Sequence, residues 1–284
     1  MHTIDPIFVA PRYVARDWGR RDLGDWLAGH PTPPETVGEV WVHDAANGTR
    51  NGPLGRRLSA SSADMLGDLG RAPPKVRLVF AQEQKAVRST APLSLWTILE
   101  PGLTTEPERE QAVIYRPGDR IRAYEGAEVT LAEESVALEV SSAFLPKNDA
   151  DDPWTVRLPP VTRRTRATML REDGLSVELW TLPAYSSIVP DGETCHVITA
   201  LSRGVAVDGR ALAPGEATFV PACGRPIDLT GEGAKVMVAY PDRAPTEIWK
   251  HCSGPDPVAS QLPLPALNPS SAATLGHELM DIAA

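Results

Sequence analysis

Pro117-Gly118-Asp119-Arg120-Ile121-Arg122-Ala123-Tyr124-Glu125-Gly126 and Pro214-Gly215-Glu216-Ala217-Thr218-Phe219-Val220-Pro221-Ala222-Cys223 are the two stretches that decide how this chain folds. Each opens on Pro-Gly followed by an acidic residue, continues through a short strand-like run, and reaches a second turn at the same spacing. One such match arises easily by chance. Two in corresponding places, each flanked by strand-like runs, indicate a duplicated unit. Unrelated Pro-Gly turns in a β-sandwich are the competing explanation.

Working outward, β-like runs precede and follow the first stretch at 76–81, 86–90, 93–99, 112–115, 128–131 and 136–140, and they recur around the second at 168–170, 176–182, 196–201, 205–207, 217–220 and 235–240. An acidic, Pro-containing segment at 147–153 separates the series. The expected organisation is therefore an N-terminal module over 1–146, a linker over 147–153, a C-terminal module over 154–245 and a Pro-rich tail over 246–284. Residues 18–74 carry loop chemistry, with Asn47-Gly48 and Asn51-Gly52, and one helix over 63–69, begun at Ser61 or Ser62 and stopped at Gly70. A second short helix is expected over 272–282 in the tail.

Composition narrows the function classes. The 284 residues include 28 prolines and 22 glycines, which favour many strands and turns over long helices. The net charge is -9 with scattered basic residues, so a nucleic-acid backbone is not an expected partner. Cys195, Cys223 and Cys252 are odd in number and lack C-x-x-C spacing, which reads as reduced thiols and not as disulfides or a zinc knuckle. No apolar run is long enough for a signal peptide core or a membrane span. The expectation is a cytoplasmic protein with no membrane partner; its oligomeric state is open.

The repeated stretches also fit the second motif of a cupin, G-x5-P-x-G-x2-H, and the chain resembles the class I mannose-6-phosphate isomerases. The resemblance rests on Asp17-Trp18-Gly19, on Thr36-Val37-Gly38-Glu39-Val40-Trp41 followed by the Asn-Gly pairs, on Leu95-Trp96-Thr97-Ile98-Leu99, and on the segment from His196 to Ala222, all in the family's order. It implies an all-β tandem cupin, two jelly-roll (double-stranded β-helix) barrels with a few short helices. It further implies interconversion of mannose 6-phosphate and fructose 6-phosphate, with zinc polarising the sugar oxygens while a proton moves between carbons.

The family's zinc ligands are a glutamine and a histidine of Q-x-H-P, a glutamate of K-T-E-M-W and a histidine of P-A-G-x-x-H. Matched to those motifs, this chain has Arg88 and Thr90, Ser94, and Val129. Zinc is expected from the family, yet its ligands are absent, so no cofactor is expected. No histidine lies between His43 and His196, and the chain turns directly from Thr90 to Leu93 where the family carries a loop. The T-Y-R segment that follows the last barrel strand in the family is replaced by Ala143-Phe144-Leu145-Pro146.

With Arg88 and Thr90 read as inward-facing, the pocket candidates are Arg88, Thr90, Ser94, Trp96, Arg122, Tyr124, Val129 and Glu139. Arg88 then needs an anion, either Glu139 or a ligand that Arg122 also binds. No catalytic residue is assigned. His43, beside Asp44, reads as a solvated loop residue, and His196 as a core or edge residue of a structural second barrel. Two function classes follow. One is a degenerate, metal-free isomerase relative that binds a sugar, a sugar phosphate or a protein partner. The other is an active sugar-phosphate isomerase, or a metal-free cupin enzyme using Arg88, Glu139 and Tyr124.

Overall fold

Both Pro-Gly turns close in the same way. Gly118 donates its N–H to the Ile98 carbonyl (2.8 Å) while Ile98 donates to Asp119 (3.0 Å); Gly215 donates to Ala200 (2.7 Å) while Ala200 donates to Glu216 (2.9 Å). Both glycines are left-handed, at φ +84° and +87°. Matched hydrogen bonds around matched turns make the repeat structural. In the computed structural model the described residues are 4–60, 62–100, 117–142, 155–158, 165–242, 245 and 247–251. The expected strand at 112–115, the linker 147–153, Ala143 to Pro146, Cys252 and the tail helix at 272–282 lie outside them.

The first module contains β2 (Arg12–Arg20), β3 (Val37–His43), β4 (Gly48–Thr49), β5 (Gly52–Pro53), α1 (Leu54–Ala60), α2 (Ser62–Leu66), β6 (Lys75–Ala81), β7 (Lys85–Arg88), β8 (Leu93–Glu100), β9 (Arg120–Tyr124), β10 (Glu128–Leu131) and β11 (Ser135–Ser142). The second contains β13 (Arg166–Glu172), β14 (Leu175–Thr181), β15 (Ser186–Ile188), β16 (His196–Ala200), β17 (Val205–Val207), β18 (Arg210–Leu212), β19 (Ala217–Val220), β20 (Ile227–Thr230), β21 (Lys235–Tyr240) and β22 (Trp249–His251). Two further strands, β1 (Ile7–Phe8) and β12 (Thr155–Arg157), join across the modules.

The two large sheets have the orders β12-β9-β8-β11-β6-β3-β2 and β1-β19-β16-β21-β14-β13. Apart from β2, which has no counterpart, they correspond strand for strand, with β10-β7 and β18-β17-β20-β15-β22 completing the two barrels. The strand that opens the chain pairs with β19 of the second module, and the strand that follows the first barrel pairs back with β9 of the first. Each barrel thus has an edge covered by a segment adjoining the other module in sequence, which removes an exposed row of backbone donors and acceptors.

Alternation along the strands sorts the apolar residues into three layers. Val79, Ala81, Trp96, Ile98, Ile121, Ala123, Val129 and Ala137 fill the first barrel. Trp180, Ile198, Val220, Ile227, Val236 and Val238 fill the second. The opposite faces of the two large sheets meet in the most extensive core, where Leu78, Phe80, Leu95, Leu138 and Val140 lie with Val177, Val197, Phe219, Met237 and Ala239.

Three local expectations change. Residues 18–74 contain a strand, β3, whose Val37, Val40 and Val42 reach the central core. Its last residue, His43, is buried and not solvated: its ring stacks on Phe219 at 5.8 Å and Nδ1–H donates to the Pro74 carbonyl (2.8 Å). The expected helix ends at Gly67, left-handed at φ +84°, where a Cβ would lie 2.4 Å from the Glu193 carbonyl oxygen. Asn47 of the Asn-Gly stretch is structural, donating to the carbonyls of Ala10 (3.0 Å) and Trp41 (2.7 Å). No described helix is long and apolar enough to cross a membrane.

The second Pro-Gly turn also seats the modules on each other. A Cβ on Gly215 would come within 2.6 Å of Leu78 Cδ1 and 3.2 Å of Trp26. Gly118→Ala is expected to cost about 1 kcal/mol, the price of a left-handed alanine. Gly215→Ala should cost about 2–3 kcal/mol, because overpacking against Leu78 adds to the same backbone strain. Urea unfolding of both variants measures the difference, and equal losses would disprove the close approach.

Candidate functional site

The residues of β7 that enter the first barrel are set by what lies across from them. Val87 stands opposite Val129 of β10, and Val87 and Ser89 are buried while Arg88 and Thr90 are exposed. The expected inward orientation of Arg88 and Thr90 is therefore wrong by one residue, and a one-residue change of phase exchanges the two faces of a strand. Arg88 does not reach Glu139. It donates to Glu128 (3.0 Å), its neighbour across the strand pair, on the solvent side.

Ser94, Trp96 and Val129 do face the interior and are fully buried. Ser94 Oγ lies 3.0 Å from Ser89 Oγ, donates to the Ala123 carbonyl (3.3 Å) and accepts from the Trp96 indole (3.1 Å). Arg122 and Tyr124 leave the site altogether. Ile121 and Ala123 take the inward positions of β9, so Arg122 lies over the Tyr124 ring at 5.5 Å and pairs with Glu172 of the second module (2.5 Å). Tyr124 packs on the central core.

The partner of Glu139 is Arg77, directly opposite it in the β11–β6 register. Arg77 shares its face of β6 with Val79 and Ala81, which carries its guanidinium into the barrel mouth. A buried cation needs anions, and it has two: Nε donates to Glu139 and Nη1 to Glu39 (2.8 Å). Glu39 also accepts from Arg16 (2.8 Å). The guanidinium lies over Trp41 at 5.2 Å and Trp96 at 5.4 Å. Burial works against its charge, but Glu139 and Glu39 together outweigh that and hold the Arg77 pKa above its ordinary value. Nη2 of Arg77 is buried and has no hydrogen-bond partner among the described residues.

An open cavity of about 420 Å³ lies over this network, between β2, β3 and β7. Arg12, Arg16 and Trp18 come from β2, Glu39 and Trp41 from β3, and Arg77 from β6; Arg88 and Thr90 reach it from the rim. The β2 wall is shaped by register shifts between Val14 and Ala15 and between Ala15 and Arg20. Gly38 permits it, since a Cβ there would lie 2.5 Å from Arg16 Cβ and 2.9 Å from the Trp18 ring. Sequence reasoning missed Arg77, Arg16 and Trp41 as site residues. One signal was available: a lone arginine in the apolar run Val76-Arg77-Leu78-Val79-Phe80-Ala81 must find a carboxylate.

The duplication extends to this ion pair, with the signs exchanged. Arg166 and Glu178 of β13 and β14 stand where Glu39 and Arg77 stand in β3 and β6, because Thr168 opposes Glu178 as Trp41 opposes Arg77. Arg166 Nε donates to Glu178 (2.8 Å), which also accepts from Trp180 (2.9 Å) and Tyr240 (3.3 Å). His196, at the place of Ser94, is buried with its ring edge-on to Tyr240 at 5.2 Å, and burial lowers its pKa to about 4. Neither described thiol is activated. Burial raises Cys195 to about 12, and burial together with Asp64, Asp68 and Asp191 raises Cys223.

No family model and no curated protein matches the sequence. Solved structures do match. The apo form of mannose 6-phosphate isomerase from Salmonella typhimurium aligns with a TM-score of 0.65 at 12% identity, covering 86% of this chain and 100% of that one. This chain has the tandem-cupin fold of the mannose 6-phosphate isomerases. The mannose 6-phosphate isomerase from Bacillus subtilis aligns over 82% of this chain and 99% of its own, with a TM-score of 0.59 and 16% identity. At such identities the likeness is one of fold, and the chemistry must be argued from the side chains.

For a zinc ion in the first barrel of this isomerase fold, the interior offers Val87, Ser89, Ser94 and Val129, with Glu139 already held by Arg77. Two hydroxyls and two valines do not fit zinc, which takes imidazole, thiolate or carboxylate donors. Among the described residues no three His, Cys, Asp or Glu side chains group as a metal site.

Proposed function

We propose that this protein is a metal-free relative of the mannose 6-phosphate isomerases that binds a sugar or sugar phosphate without turning it over. The reading is supported chiefly by one observation: where the isomerase chemistry would require zinc donors, the first barrel has the packed set Val87, Ser89, Ser94 and Val129 beneath Trp96. The ligand site in this reading is the cavity walled by Trp18 and Trp41 and floored by Arg77. Its volume falls within the range of about 300–1,000 Å³ usual for small-molecule sites. A protein partner in place of a sugar, and an active aldose-ketose isomerase, are the competing readings. The negative net charge and the free thiols of Cys195 and Cys223 favour a cytoplasmic setting without nucleic acid.

Metal analysis of the purified protein, run alongside a coupled mannose 6-phosphate isomerase assay, tests this reading. Zinc is expected well below one equivalent, with no turnover above the blank. Stoichiometric zinc with turnover would show that the parental chemistry persists on other donors.

A further inference from the structure

The charges around the cavity differ between its floor and its rim. At the floor, buried Arg77 is answered by Glu39 and Glu139, and Arg16, exposed on the cavity wall, also pairs with Glu39, so that two cations meet two anions. At the rim, Arg12 pairs with Asp44 and Arg88 faces Glu128, both contacts being open to solvent on at least one side. Rim charges of this kind are well hydrated and hold a ligand weakly. The floor is where desolvated recognition takes place, and it has no cation left over.

The floor does have one unmet need. Arg77 is 5% exposed, and its Nη2 donor has no acceptor among the described residues. A buried donor without a partner is costly, so a ligand oxygen that displaces a neighbouring side chain to reach it gains more than an ordinary hydrogen bond. An anionic oxygen would satisfy it only by standing beside Glu39 and Glu139, adding a third negative charge to a balanced cluster. A hydroxyl or ring oxygen satisfies it without that repulsion, and Glu39 can accept from a neighbouring hydroxyl. Trp41 and Trp18 add apolar faces beside these polar groups. A molecule with a hydroxylated edge and an apolar face is a carbohydrate ring.

Resting on the sugar-binding reading above, we infer that the cavity selects an uncharged saccharide, held through Arg77 Nη2, Glu39 and the Trp41 face, and that a phosphate group adds nothing to recognition.

Isothermal titration and thermal shift of the full chain test this, with mannose, fructose and glucose as uncharged probes, and with mannose 6-phosphate and inorganic phosphate. At least one uncharged hexose should bind and raise the melting temperature. The same sugar bearing a phosphate should bind within about threefold of it, and affinity should change less than about twofold between low and high salt. Inorganic phosphate should produce no shift. Trp41→Ala should weaken the hexose about tenfold or more, and Arg12→Gln combined with Arg88→Gln should weaken mannose 6-phosphate less than about threefold.

Binding of mannose 6-phosphate alone, or a shift with inorganic phosphate, would overturn the inference while leaving the sugar-binding reading in place. If no probe of either kind binds, both fail. Trp41→Ala with unchanged hexose affinity would remove the cavity as the site; circular dichroism establishes that the variant is folded.

Discussion

Lowering the pH from 6.5 toward 4 is expected to cost this protein several kcal/mol of folding stability, about 3 kcal/mol for each of two buried histidines. His43 and His196 both have pKa values lowered from 6.5 to about 4, in each case chiefly by burial. Asp44 beside the first and Asp191 near the second oppose the shift without cancelling it. Because the folded pKa is depressed, the unfolded chain binds protons first as the pH falls. Stability is therefore complete above pH 6.5, falls through the window between the two values, and levels off below about 4. With two protons taken up on unfolding, the slope approaches about 2.7 kcal/mol per pH unit.

Urea unfolding at a series of pH values above about 5 reads this slope before most carboxylates titrate. His196→Leu should halve it, since the second barrel then loses its titrating group while keeping its volume. A wild-type slope near zero in this window, or a variant slope equal to the wild type, would mean that these rings are already charged or solvated in the fold.

Replacing Arg77 by methionine should destabilise the protein by about 3–5 kcal/mol, the usual result of leaving one partner of a buried ion pair alone. Glu139 is 2% exposed and would lose the cation directly opposite it. Arg77→Lys should be costly as well, because a guanidinium lying over Trp41 and Trp96 while donating to two carboxylates has a planar fork that an ammonium cannot reproduce. The double change Arg77→Met with Glu139→Met should recover most of the loss, since Glu39 retains Arg16. Chemical denaturation of the wild type, the single variants Arg77→Met and Glu139→Met, and the double variant forms a double-mutant cycle. Additive losses would show that the two side chains do not depend on each other.

Much of this architecture was legible because it is local. The Pro-Gly turns need left-handed glycines at 118 and 215, and the chain supplies them at matched spacing. The runs at 76–81, 93–99, 128–131, 205–207, 217–220 and 235–240 are apolar or alternating enough to read as strands, and all lie within strands of the structure. The site was far less legible. Arg88 is expected inside the barrel with Glu139 as its anion, yet it lies outside and the two belong to different pairs. Glu39 and Trp41 carried a family signature but no visible role until β3 was laid beside β6.

Side-chain chemistry and turn conformation are properties of individual residues, so the duplicated β organisation can be read from the chain alone, and so can the fact that the motifs Q-x-H-P, K-T-E-M-W and P-A-G-x-x-H do not occur in it. Tertiary structure alone decided which face each strand turns inward, that Arg77 and not Arg88 meets Glu139, and that β1 and β12 cross to the other module's sheet. A strand's period of two is written in its own residues. Its phase and its partners are set by the strand lying across from it, and that strand is often distant in sequence.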